Sequence, residues 1–249
     1  MKAMKLKAVS RRAAKLGQLL AHPTYRSGLI HKVAAAVEHE GALRHLSIAS
    51  LIDVGANCGQ FSLLAQALFP DLIIHAFEPL QQPASTYRRI FQQNPNIQLH
   101  HCALGESAEL VDFHVSSRAD SSSLLPITDK QEEIFPGTTE AAIEKVQVVQ
   151  GDQILKGLSL PAPLMVKLDI QGYELFALKG LTNTLKTTAY IYSEVSFIEL
   201  YKGQPLARDI IAWLASQGFY LDGIYNLVTT DKGLSVQADA LFSNRQFIL

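Results

Sequence analysis

The 249-residue chain predicts an α/β fold built on a parallel sheet, and three observations carry that expectation. From residue 48 onward, short apolar runs alternate with segments of helical periodicity, the order that strand–helix–strand units produce. A glycine loop, Gly55 to Gly59, separates the first of these strands from the first helix. The composition, 48% hydrophobic and 18% charged, supplies a large core and lies far from the polar, charge-rich signature of disorder.

Taken in order, Ile48 to Val54 reads as the first strand and Gln60 to Leu68 as a helix closed by Pro70 and Asp71. Leu72 to Phe77 is the second strand, Pro83 to Gln92 a helix, and Ile97 to Ala103 a third strand ending at Gly105. Successive units of this kind share one sheet through right-handed crossovers. Leu110 to Val115 and Val146 to Gln150 read as extra strands. Between them Ser116 to Thr139, rich in Ser, Pro, Asp and Thr, is expected to be a functional loop or lid. Leu164 to Leu168 reads as a buried strand, Tyr173 to Leu185 as a helix, and Ala189 to Val195 as a strand. Leu206 to Gln217 is a helix stopped by Gly218. Phe219 to Tyr225 and Ala240 to Ile248 are expected to pair around a turn at Asp231 and Gly233.

The economical division is a basic helical extension over 1–46 and one domain over 47–249. Before Glu38 there is no acid, whereas Lys2, Lys5, Lys7, Arg11, Arg12, Lys15, Arg26 and Lys32 are basic. Leu6, Val9, Ala13, Leu16 and Leu20 recur at helical spacing, so residues 3–20 form either a helix for peripheral membrane contact or a solvated helix on the domain edge. No uninterrupted apolar run suggests a secretory signal or a membrane span, and a cytoplasmic location is expected. An organellar transit peptide is the alternative. With 22 Lys and Arg against 23 Asp and Glu, no global field favours nucleic acid, and Cys58 and Cys102 are too few for a disulfide framework.

The sharpest chemical signal is Leu51-Ile-Asp-Val-Gly-Ala-Asn-Cys-Gly-Gln-Phe-Ser62. Gly55 and Gly59 allow a ligand to approach backbone N–H groups beside a helix N-terminus. The dinucleotide pattern Gly-x-Gly-x-x-Gly is absent, and Asp53 stands where a pyrophosphate would be repelled and a cationic ligand welcomed. Glu78, in Phe77-Glu78-Pro79, ends the next strand, where an acid accepts both ribose hydroxyls. Together they describe an adenosine ligand with a cationic centre and no pyrophosphate, which fits S-adenosylmethionine.

With these motifs, Val166-Lys-Leu-Asp169-Ile-Gln-Gly172-Tyr-Glu174 and the closing Gln237-Ala-Asp-Ala-Leu-Phe242 make the chain resemble the FkbM family of S-adenosylmethionine-dependent methyltransferases. The resemblance runs from about residue 37 to the C-terminus. It implies a class I, Rossmann-like seven-stranded sheet with an antiparallel last strand, and O-methylation of sugar or natural-product hydroxyls. It also implies cofactor contacts at Gly55, Asn57 and Gly59 for the methionine part, at Glu78 and the adjoining Pro79 for ribose, and at Cys102, Ala103 and Leu104 near adenine. Many members carry Glu where this chain has Gln171.

Asp169 and Glu194 fall at the C-terminal ends of expected parallel strands, the edge where open α/β sheets bind ligands. Asp169 is the expected general base, with His39 and Glu194 as second choices. Ser121, Ser122, Gln171 and Tyr201 are assigned to the acceptor. A divalent cation shared by Asp169 and Glu194 is the less favoured arrangement, because no third oxygen ligand is evident. Their plain structural alternative is loop capping, as it is for Asp53 and Asn57. A non-catalytic cofactor- or glycan-binding scaffold is the other functional reading, and a nicotinamide oxidoreductase is disfavoured by the missing fingerprint. His39-Glu40 does not continue into a zinc helix, since the next His is at 45.

Overall fold

The computed structural model describes residues 15–247. Most of the expected basic amphipathic helix, residues 3–20, therefore lies outside the described residues. Residues 15–21 are helical, followed by α1 (Pro23–Ile30), a 3₁₀ turn at Val37–His39 and α2 (Glu40–Leu43). Leu19, Tyr25, Val33, Ala35, Ala42 and Leu43 join this segment to the main hydrophobic core.

Seven strands form the principal sheet: β1 (Ser50–Val54), β2 (Ile73–Phe77), β3 (Ile97–His100), β7 (Leu164–Leu168), β8 (Thr188–Ser196), β9 (Tyr220–Thr229) and β10 (Ser235–Ser243). Their order is β3-β2-β1-β7-β8-β10-β9, and β10 runs antiparallel to both of its neighbours. This is the arrangement implied by the family resemblance. Central β1 and β7 are buried at all five positions, which is why they read as unbroken apolar runs rather than alternating ones. Leu51 packs under α3 (Gln60–Leu68) and α4 (Gln81–Phe91), whereas Ile52 and Val54 face α7 (Glu174–Lys179) and α8 (Ala207–Ser216). Every chemically suggestive strand end, at Asp53, Phe77, Leu168 and Glu194, therefore opens on one sheet edge.

Several element boundaries differ from expectation, β9 among them, which runs on to Thr229 rather than ending at Tyr225. The run Ile97 to Ala103 is not one strand: after His100 the chain turns, with Cys102 N donating to His100 O at 3.0 Å. It then enters a second sheet as β4 (Ala103–Leu104), beside β6 (Glu140–Val149) and β5 (Glu109–Ser116). A short alternating run reads the same whether it stays in one sheet or passes between two. β6 starts six residues early because Glu140–Lys145 is exposed, so no apolar pattern marks it. The helix expected to reach Leu185 stops at Lys179 with Gly180 as its C-cap, packed against the Gly105 carbonyl where a side chain would not fit, and the chain beyond is held by the Asp152 carboxylate, which accepts from Asn183 N and Thr184 N at 2.8 and 2.9 Å. The closing strand ends at Ser243, since it pairs from Ser235 across the Thr230–Leu234 turn.

The segment 116–139 is a folded cover. It holds a 3₁₀ turn (Ala119–Ser121), α5 (Asp129–Ile134), and an apolar cluster in which Leu125, Ile127, Ile134 and Phe135 pack on Leu200, Tyr201 and Val236. The remaining short helix, α6 (Gly151–Leu155), follows β6.

Candidate active site

The glycine loop turns back on itself through three left-handed residues, Gly55 (φ 75°), Asn57 (φ 48°) and Gly59 (φ 98°). A Cβ on Gly55 would collide with the Asp169 carbonyl, and one on Gly59 would sit 2.6 Å from the Phe91 ring, so glycine is required at both positions. Gly55 N and Ala56 N both donate to Phe77 O at 3.0 Å, tying the loop to the end of β2. There Glu78, 6% exposed, accepts from Asn57 N through Oε2 at 2.9 Å and from Leu80 N through Oε1 at 2.8 Å. Burial pushes its pKa up to about 7, against the opposing pull of those two N–H groups. A carboxylate offers about four lone-pair directions, so each oxygen retains one for an incoming hydroxyl.

A cavity follows this loop. Glu78, Pro79 and Phe77 form one wall, Ala103 and Leu104 another, and Asp169 and Gln171 close its far end. Cys102 does not line it; the thiol belongs to the core, where burial raises its pKa to about 11. Gly59 likewise shapes the loop without reaching the cavity.

Asp53 is not placed as the sequence suggested. It is fully buried beneath the loop, with Oδ2 accepting from Ser62 Oγ at 2.7 Å and Oδ1 facing Lys167 Nζ at 3.2 Å. Lys167 also donates to Gly55 O at 3.0 Å. Burial disfavours its charge, but Asp53 and then Asp169 outweigh that and hold its pKa above the ordinary lysine value. The negative charge of Asp53 is thus spent internally, and the acidic residues lining the cavities are Glu38, Glu78, Asp120 and Asp169. Lys167 was missed in the sequence, although a lysine inside an apolar strand signals a buried partner.

Asp169 and Asp120 both line three cavities: the one along Glu78, a second bounded by Glu38, His39, Gln60 and Lys167, and a third beneath the 116–139 cover. Gln171, in a left-handed turn (φ 54°), donates its Nε2 to Asp169 Oδ1 at 2.8 Å and to Glu194 Oε2 at 3.1 Å. Its Oε1 accepts from Tyr201 Oη at 2.7 Å, which fixes the orientation of the amide. Gln237 Nε2 donates to Glu194 Oε1 at 2.7 Å. Glu194 holds its proton well above the usual carboxylate range, through burial first and then the charges of Asp169, Glu174 and Asp239. Glu174 shapes the turn from below, accepting from Ile170 N and Gly172 N at 3.0 and 3.1 Å, and burial lifts its pKa to about 7.

The other anticipated residues divide between the cavities. Ser122 borders the Glu78 cavity and Ser121 the third one. Tyr201 is buried, and its hydroxyl joins Ser121 to Gln171 instead of facing a ligand. His39 lies on the second cavity, its Nδ1 3.0 Å from Tyr192 Oη and 3.2 Å from Asp239 Oδ2. Asp239 was not anticipated. Among the described residues no group of three or more His, Cys, Asp or Glu side chains is arranged to hold a metal ion.

A glycine loop after the first strand, an acid after the second and a sheet of this order define a Rossmann-like nucleotide-type site. Residues 53–221 match the Methyltransferase FkbM domain, and the chain belongs to that family. It is 26% identical over 145 residues to the hexuronic acid methyltransferase AglP of Haloferax volcanii, covering 58% of this chain and 55% of that protein. It is 28% identical over 145 residues to Methyltransferase 1 of Beauveria bassiana, covering 53% and 57%, and 25% identical over 177 residues to the 2-O-methyltransferase NoeI of Sinorhizobium fredii, covering 67% and 71%. The matches thus span little more than half the length of the first two relatives. Among solved structures, a precorrin-6y C5,15-methyltransferase from Geobacter metallireducens covers 85% of this chain and 93% of its own at 13% identity, with a TM-score of 0.48. Among the described residues no helix is long and apolar enough to cross a membrane.

Proposed function

We propose that the 47–249 region transfers the methyl group of S-adenosylmethionine to a hydroxyl of a sugar or similar polyhydroxylated acceptor. The observation that carries this reading is that Asp169, at the end of β7, lines three adjoining cavities together with Asp120, one of them also lined by a buried carboxylate suited to ribose. Adenine is assigned to the wall formed by Ala103 and Leu104, ribose to Glu78 and Pro79, and the methionine part to Gly55, Asn57 and the His39 side. When bound there, S-adenosylmethionine would supply an electrophilic methyl group to the acceptor oxygen. Asp169 Oδ1 is occupied by Gln171, so the other oxygen is the one assigned to take the hydroxyl proton as the O–CH₃ bond forms and the S–CH₃ bond breaks. Glu194, protonated and engaged by two amides, is unsuited to act as base, and His39 borders the methionine side rather than the third cavity. Hydroxyl acceptors are supported by the relatives, whose names specify a hexuronic acid and a 2-O position.

Calorimetry with S-adenosylmethionine, S-adenosylhomocysteine and NAD, followed by mass spectrometry of a saccharide panel, tests the reading. Binding of the first two and a 14 Da gain on a sugar are expected; binding of NAD alone would overturn it.

A further inference from the structure

We infer that the third cavity is the acceptor subsite and that Gln131 reads one of the acceptor's hydroxyls. This rests on the methyl-transfer reading and adds to it where the acceptor sits and what selects it. The cavity shares Asp120, Asp169 and Gln171 with the Glu78 cavity, so a ring seated there brings a hydroxyl to Asp169 opposite the cofactor side.

Three glutamine amides reach this space, and two are committed. Gln171 is bonded at both ends, and Gln237 Nε2 is held by Glu194. Gln131 is different. It is 2% exposed, borders the cavity, and its Oε1 has no hydrogen-bond partner among the described residues. Buried amides are nearly always paired, and because this Oε1 is closed off from solvent, it is a rotation of the amide toward the adjoining cavity that would bring it onto an acceptor hydroxyl. Four residues on, at the C-cap of the same helix, half-buried Phe135 borders the same cavity and offers an apolar wall to the C–H face of a pyranose.

The remaining wall fits neutral hydroxyls better than a phosphate. Arg118, the one cationic residue lining it among the described residues, lies 3.3 Å from Asp120, and Asp169 adds a further acidic group. The cover is tied down at Tyr201, whose hydroxyl donates to Gln171 Oε1 at 2.7 Å and lies 3.0 Å from Ser121 O, so the subsite is organised before the acceptor arrives. Specificity then resides in the cover segment and not in the sheet edge that does the chemistry.

The test uses methyl glycosides of a hexuronic acid, a hexose and a deoxyhexose as probes. Methyl-transfer kinetics, cofactor calorimetry and the Gln131 side-chain amide resonance are followed in the wild type and in Gln131→Leu. Loss of one hydrogen bond to a buried hydroxyl predicts a KM roughly tenfold higher with kcat and cofactor affinity nearly unchanged. If Gln131→Leu fails to bind cofactor, Gln131→Asn, which withdraws the amide by one methylene, must show the KM rise instead. An unchanged KM in a variant that binds cofactor overturns this inference and leaves methyl transfer standing. If no probe is methylated or shifts the Gln131 resonance while cofactor binds, the sugar reading and this inference fall together.

Discussion

Glu78 makes cofactor affinity a function of pH. Its carboxyl is buried and titrates near pH 7, and it already accepts one backbone N–H on each oxygen. Two ribose hydroxyls need the ionised form, whose population rises from about one tenth at pH 6 to about nine tenths at pH 8. The dissociation constant for S-adenosylhomocysteine should therefore fall roughly tenfold over that interval, or about 1.3 kcal/mol, and level off above it. Glu78→Gln removes the titration. It also places an N–H₂ against Asn57 N or Leu80 N, leaving donors facing each other, which costs about 1–3 kcal/mol of binding or stability. Calorimetry at pH 6, 7 and 8 in two buffers of different ionisation enthalpy reads affinity and proton release together. Equal affinity at pH 6 and 8 in the wild type, or the same slope in Glu78→Gln, refutes the argument.

Asp169→Asn is expected to lower turnover about 10²-fold while cofactor affinity changes little, and chelation should leave wild-type turnover intact; restoration by magnesium after chelation would transfer the role to a metal. Asp53→Asn strands the buried Lys167 charge and should cost about 3–5 kcal/mol in denaturant unfolding, with Asp53→Asn/Lys167→Met costing less than the sum of the single changes. Glu174 has a folded pKa raised from 4.5 to about 7, so its favourable share is present below pH 4.5 and is lost as pH rises through 7. Glu174→Gln keeps an oxygen for Ile170 N and Gly172 N and should remove about 2.5 kcal/mol of that decline between pH 5 and 8 in thermal or urea melts.

How much the sequence discloses depends on whether a residue's role is local or set by distant packing. Gly55 and Gly59 are legible because a tight turn before a helix demands them, and β1 and β7 because central strands are apolar on both faces. Asp53 is misleading for a reason of position. It points to the same face as Ser62 and Lys167, and its pairing with Lys167 arises only from the β1–β7 register, across more than a hundred residues. Tyr201 and Gln131 are hidden in another way: one looks like a ligand contact and is a strut, and the other sits in a polar run, Asp129 to Glu133, that reads as solvated helix. The handover from β3 to β4 leaves no trace because alternation does not record which sheet a residue joins.

The substitution-like feature at Gln171 is where local chemistry and function meet. Two carboxyl groups at neighbouring strand ends would repel if both ionised, and such pairs resolve the conflict by sharing a proton or binding a cation. Here an amide N–H₂ donates to both at 2.8 and 3.1 Å, standing between them as a cation would, and Tyr201 prevents it from turning. The amide is neutral, so it moderates the repulsion without cancelling it, and the more enclosed Glu194 keeps its proton. Asp169, which lines the cavities and has only Oδ1 engaged by the amide, is the carboxylate left for the acceptor. Pairs of acids whose surroundings drive them apart are what separate a base from a spectator. A Glu at position 171 would add a third carboxylate to the same site and make a cation the cheaper solution, so Gln171 is what ties the metal-free reading to this chain.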